Sequence, residues 1–362
     1  MKVIHAPILR DSMNVFHEVN RKRHRFLIVL LVWMSCGYLM SGSAWATSSS
    51  AQPTVAELLD STPFNQADIR RVLNGGLVST GVKPVGDHEV AVGLACLAKE
   101  TGAAMYRLLQ QNVWIAPGEL IASERINDED RLASFENVSF EPDYLEEAAW
   151  YVKAKAGDDF NLSTDEIETF RSLPSTSRSK GDARVVLSAL RQVLLSRYLA
   201  YRKDGLQGIL PYDRGSGKKA RPSKLLHQSL NLSFYLKREF PAVHEALIRY
   251  PDTGDLAAIH DYHWLSIEIE GRPVFALSHR LTNRTERAGI AVTRVFYISR
   301  ALDAAQVVVA MMTTPEGTLV LYVSRIWTER VTGFGKAVKT KVAKNILKGQ
   351  MLKAAEQMEA CR

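Results

Sequence analysis

The sequence predicts an α+β protein: an antiparallel sheet packed on a long C-terminal helix, with a mainly helical insertion in the middle of the chain. Three observations predict it. Between Trp264 and Trp327, β-branched and aromatic segments alternate with turn residues too closely for crossover helices to fit, so neighbouring strands must pair antiparallel. Residues 143–255 carry three-to-four-residue apolar spacing instead. The last stretch, from Lys336 to about Ala360, keeps that helical spacing to the end of the chain.

The elements follow in order. A basic cluster, Arg21-Lys22-Arg23-His24-Arg25, precedes the apolar run from Phe26, and Ala44-Trp45-Ala46 fits a signal-peptidase site. Residues 1–46 are therefore expected to be a cleaved signal peptide and the remainder periplasmic or secreted. The alternative is an inner-membrane anchor formed by residues 26–45. Residues 47–76 read as a polar leader and two short helices, the second stopped by Asn74-Gly75-Gly76. Residues 77–142 carry the first strands, at Leu77 to Val82, Glu89 to Ala98, Leu120 to Ile126 and Ala133 to Phe140, with a helix from Thr101 to Gln111. Glu89 to Ala98 is almost wholly apolar, which predicts a strand covered on both faces.

Within 143–255 the helical patterns are Tyr144 to Ala156, Thr164 to Leu173, Ala183 to Tyr201, Ser223 to Phe240 and Ala242 to Tyr250. Residues 256–362 supply five strands, at Trp264 to Ile269, Val274 to Leu281, Ile290 to Ser299, Ala305 to Met312 and Thr318 to Trp327, and then the closing helix. On that helix Val338, Val342, Ile346, Leu347, Met351, Ala354, Ala355 and Met358 are expected to line one side and six lysines much of the rest.

Charge excludes less than the isoelectric point suggests. The chain has 46 Lys/Arg and 39 Asp/Glu, a net charge of +7. Six basic and two acidic residues lie in residues 1–46, so 40 basic and 37 acidic remain after cleavage, a net of +3. That balance gives no ground for nucleic-acid binding. Two cysteines remain, Cys96 and Cys361, which in an oxidising compartment are candidates for a disulfide; the other reading of Cys96 is a buried small residue.

No pattern specifies chemistry. Gly215-Ser216-Gly217-Lys218-Lys219 lacks the first glycine and the hydroxyl residue of a phosphate loop and reads as a basic surface loop. His260 and His263 fall on opposite faces of a strand, so no metal site is expected. Ser278 and His279, as strand neighbours, cannot pair directly as nucleophile and base. The acidic cluster Asn127 to Asp130 lacks the glycine and distal glutamate of a calcium loop. No cofactor is expected.

Two resemblances follow from these residues. Glu89 to Ala98 with the helix after it, and Trp264 to Met358, resemble in element order the START-like (helix-grip) fold, in which a curved sheet wraps the last helix around an apolar cavity. The insertion departs from that pattern. Tyr201 with Gly205, Leu210, Tyr212-Asp213, Tyr250-Pro251, Trp264, Arg272-Pro273 and Ser278-His279 also resemble an uncharacterised family of secreted bacterial proteins, to which no chemistry is assigned. With the expected export signal, the helix-grip resemblance implies an exported protein that binds or carries an apolar ligand, a lipid among the options. Trp264, Phe275, Met311, Met312, Tyr322, Ile346 and Met351 would line the cavity, with His279 and Arg325 as polar candidates. The lysines of the closing helix suit contact with an anionic membrane. The competing expectations are a periplasmic hydrolase using His279, Asp261 and Arg325, and a structural or interaction protein of the cell envelope.

Overall fold

The fold is built on an eight-stranded antiparallel sheet in a computed structural model that describes residues 52–98, 109, 119–129, 131–173, 183–231, 233–357 and 361. The expected signal segment, the helix at Thr101 to Gln111 apart from Leu109, and Met358 lie outside the described residues. The strands are β1 (Val78–Gly81), β2 (Glu89–Ala98), β3 (Glu119–Arg125), β6 (Ile259–Ile269), β7 (Arg272–Arg284), β8 (Ala288–Ile298), β9 (Ala304–Thr314) and β10 (Gly317–Trp327). Their order across the sheet is β1-β2-β10-β9-β8-β7-β6-β3. β6 to β10 form a meander, because each connection is a short turn that only an antiparallel neighbour can accept. β2 is taken in next to β10, and every residue of it except Leu97 is buried, as its apolar composition predicts.

Helices cover both faces. On what we call the front face lie α1 (Val55–Asp60), α2 (Gln66–Leu73), α3 (Glu147–Val152), α4 (Thr164–Arg171), α5 (Ala183–Asp204), α6 (Pro222–Asn231), α7 (Phe234–Glu239) and α8 (Pro241–Arg249). The helical middle of the chain is thus the layer that buries one side of the sheet. The back face is covered by α9 (Lys336–Gln357), which packs across β2. The starts of α1, α2 and α4 are fixed by capping boxes on Thr54, Asn65 and Ser163, each with an acidic residue three positions on. Cys361 is bonded to Cys96 of β2, tying the C-terminus to the sheet interior.

Two expected elements differ. Ala133 to Phe140 is not a strand: it forms a 3-10 turn at Ala133–Phe135 and then runs irregularly, burying Phe135, Val138 and Phe140 against the front-face helices. Packing of those three side chains overrides the weak alternation. The single helix expected at Ser223 to Phe240 is broken into α6 and α7. There Ser233 Oγ donates to the Ser229 carbonyl (2.6 Å), competing with the helical ladder. Gly215 to Lys219 turns the small hairpin between β4 (Tyr212–Asp213) and β5 (Lys219–Ala220), as expected of a surface loop. The acidic cluster is structural: Asp128 accepts from Arg202 Nη1 (2.5 Å) and Tyr198 Oη (2.7 Å).

Candidate functional site

The alternation of side chains along the central strands fixes what each face of the sheet carries. The front face is mostly apolar, but one row crossing it is polar. Tyr262, His279, Arg294, Gln306 and Arg325 are direct cross-strand partners on β6, β7, β8, β9 and β10 in turn. All five are buried. A row of buried polar groups needs partners inside the protein, and the two ends of this row find different ones.

At the Arg325 end the row opens into a cleft of about 460 Å³, within the range of small-molecule sites. Its floor is Val308, Leu321, Val323 and Gly93, with Gln306 and Arg325 at the polar side. The walls are Pro63 and Phe64 from the α1–α2 turn, Val82 to Val85 from the β1–β2 loop, and Tyr235 and Leu236 of α7. Gly93 keeps the floor low between two walls: a Cβ there would stand 3.4 Å from Val82 and 3.6 Å from Phe64, in ordinary van der Waals contact with both. Arg325 Nη1 donates to Glu89 Oε1 (2.5 Å), and Glu89 also accepts from the Val85 backbone N–H. The salt bridge therefore anchors the loop that forms one wall. Gln306 Oε1 is buried without a hydrogen-bond partner among the described residues.

At the other end lies an aromatic cluster around His279. Its Nδ1 is hydrogen-bonded to Tyr201 Oη (2.8 Å) and its Nε2 to His260 Nδ1 (2.9 Å). Tyr262 stacks on the His279 ring, Tyr250 Oη meets Tyr262 Oη (2.7 Å), and Tyr201 stacks on Phe296. Arg294 Nη1 donates to the Tyr201 hydroxyl and Nη2 to the Leu247 carbonyl, both at 3.1 Å. Burial, then the nearby Arg294 and His260, hold His279 well below the usual histidine range. Burial raises Tyr201 to about 12, so both groups stay neutral near pH 7. Both imidazole nitrogens are engaged, by Tyr201 and His260, and Ser278 lies on the back face opposite His263, away from this histidine.

The hydrolase trio is dispersed. Asp261 points to the back face, paired across strands with Arg280 and bridged to Arg125 (2.9 Å), whereas His279 and Arg325 sit on the front face at opposite ends of the row. His260 and His263 lie on opposite faces, and no group of three or more metal-ligating side chains occurs among the described residues.

The seven residues expected to line one apolar cavity under the closing helix do not do so. Met311, Tyr322 and Met351 belong to the packed core between the sheet and α9. Trp264 and Phe275 are on the front face under the helical layer, where Trp264 Nε1 donates to the Ser134 carbonyl (2.7 Å). Met312, also on the front face, accepts from Tyr235 Oη (2.7 Å) beside the cleft. Ile346 is on the outer side of α9, 51 % exposed. The physical reason is the strand period: Met311 and Met312 are consecutive, so they face opposite sides. Of the expected polar pair, Arg325 reaches the cleft and His279 does not. Sequence reasoning missed Gln306 and Gly93, although a polar residue and a glycine inside otherwise apolar strands were the available signals.

No protein-family model, no curated protein and no solved structure matches this chain. Among the described residues no helix is long and apolar enough to cross a membrane.

Proposed function

We propose that this protein is exported and binds or carries an apolar ligand, lipid being the favoured class, in the front-face cleft beside Arg325. The observation that carries this reading is the cleft itself: apolar on its floor and two walls, with a guanidinium and a carboxamide gathered at one side. Such a site takes a ligand by burying its chain at about 0.8 kcal/mol per methylene, while the polar side orients a hydrogen-bonding end. The Cys96–Cys361 bond accords with an oxidising compartment outside the cytoplasm. The helix-grip reading extends to the meander and its closing helix, with the ligand on the opposite face of the sheet.

Val323 is half-buried at the cleft floor, so Val323→Trp fills the space from a position that tolerates bulk. Native mass spectrometry of protein purified from its host should show a co-purifying apolar molecule. Val323→Trp should carry none and should bind a fluorescent fatty-acid probe at least about tenfold more weakly, with thermal stability unchanged. A wild-type protein that is empty and takes up no probe overturns the proposal.

A further inference from the structure

Independently of the cleft, α9 presents a second apolar surface. Leu347, Met351, Ala354 and Ala355 face the sheet and are buried. At 100° per residue, Val338, Val342 and Ile346 fall on the opposite side of the helix. They are 67 %, 52 % and 51 % exposed. Phe334, four residues before Val338, continues the stripe from the preceding turn and is fully exposed. Gly333 and Gly335 on either side of it have φ of 71° and 75°, a backbone geometry that holds the ring out at a tight turn.

The charge around the stripe has one sign. Every charged residue from Lys336 to Lys353 is a lysine. Lys341 and Lys348 flank the stripe on one side and Lys339 on the other, Lys353 follows it two turns beyond Ile346, and all four are exposed. An apolar strip bordered by lysines fits a flat surface that is anionic outside and apolar just beneath. A second copy of this chain fits poorly, because it would set lysines against lysines.

We propose that the outer face of α9, with Phe334 at its tip, is a docking surface for an anionic lipid bilayer. The helix lies in the interface plane, Phe334, Val338, Val342 and Ile346 enter the acyl boundary, and the flanking lysines meet lipid phosphates. Because the stripe residues and these lysines are exposed, their substitution leaves the fold intact, which melting temperature and circular dichroism verify.

The test is co-sedimentation of the chain from Thr47 to Arg362 with phosphatidylcholine vesicles, with and without phosphatidylglycerol. Wild type should bind the mixed vesicles, weakly or not at all the neutral ones, and less as ionic strength rises. Lys341→Gln/Lys348→Gln should weaken binding about thirty-fold, and Val342→Asp/Ile346→Asp should abolish it. Equal binding to neutral vesicles, variants that bind like wild type, or a wild type that binds neither vesicle each overturn the proposal. The last outcome would leave a protein partner as the occupant.

Discussion

Single buried charges set the most sensitive points of this molecule. Arg197 lies within the apolar stripe of α5, yet it is buried, with Nε and Nη2 donating to the two carboxylate oxygens of Glu166 at 2.7 and 2.5 Å. Its guanidinium also lies 4.3 Å from the centre of the Tyr297 ring. Removing one partner leaves a charge without compensation in a medium that solvates it poorly. Glu166→Ala should therefore lower stability by about 3–5 kcal/mol in a denaturant titration. A smaller effect than about 1 kcal/mol would show that water reaches the site. His279 gives a pH signature. Its folded-state pKa lies below the ordinary 6.5, so between those values the unfolded chain binds a proton that the native state refuses. Stability is thus undiminished above about pH 6.5 and falls as the pH drops below it. His260 and His263, also depressed mainly by burial, act in the same direction. Thermal melts should show a midpoint falling from pH 7 to pH 5, with a shallower slope in His279→Gln; equal slopes would assign the effect to other groups.

The elements carry the distinction between pattern and placement. Strands β6 to β10 were legible because β-branched composition and turn residues mark them locally, and the meander follows from connections too short for any other pairing. The helix starts are marked just as locally: Thr54, Asn65 and Ser163 each precede an acidic residue at the capping distance. α9 was legible as a helix but not in its facing. Its apolar residues read as a single stripe in sequence, yet Val338, Val342 and Ile346 turn outward while Leu347, Met351, Ala354 and Ala355 turn in. Two interleaved stripes, roughly opposite in phase, cannot be separated until the sheet chooses which one to bury. The same ambiguity misplaced the ligand cavity. An apolar strand residue announces burial, but whether it meets α9 or the α1–α8 layer is decided by strand pairing, and the β7–β8 pair even shifts register between Leu277 and Ser278.

Across the whole molecule, the Cys96–Cys361 bond joins residues 265 positions apart, anchoring Cys361 to a strand buried in the sheet. A loop of that length constrains the unfolded chain strongly, so Cys96→Ala/Cys361→Ser should cost about 3–5 kcal/mol. Reductant should shift the wild-type unfolding midpoint to the variant's and leave the variant unmoved. The bond also holds the end of α9 against β2, so membrane binding should weaken with reductant only if the helix loosens, which protection of its amides from hydrogen exchange would report.

The sequence by itself determined the class of the fold, its antiparallel strands, most helices and the cysteines able to bond. These are local matters of period, composition and turn chemistry. Tertiary structure alone decided that the helical middle forms the front layer and that Tyr262, His279, Arg294, Gln306 and Arg325 make one polar row. It also placed the cleft between that row's end and three separate loops and helices, and left Val338, Val342 and Ile346 of α9 facing outward. Each of these joins residues distant in the chain, and only strand register and the packing of the two helical layers bring them together.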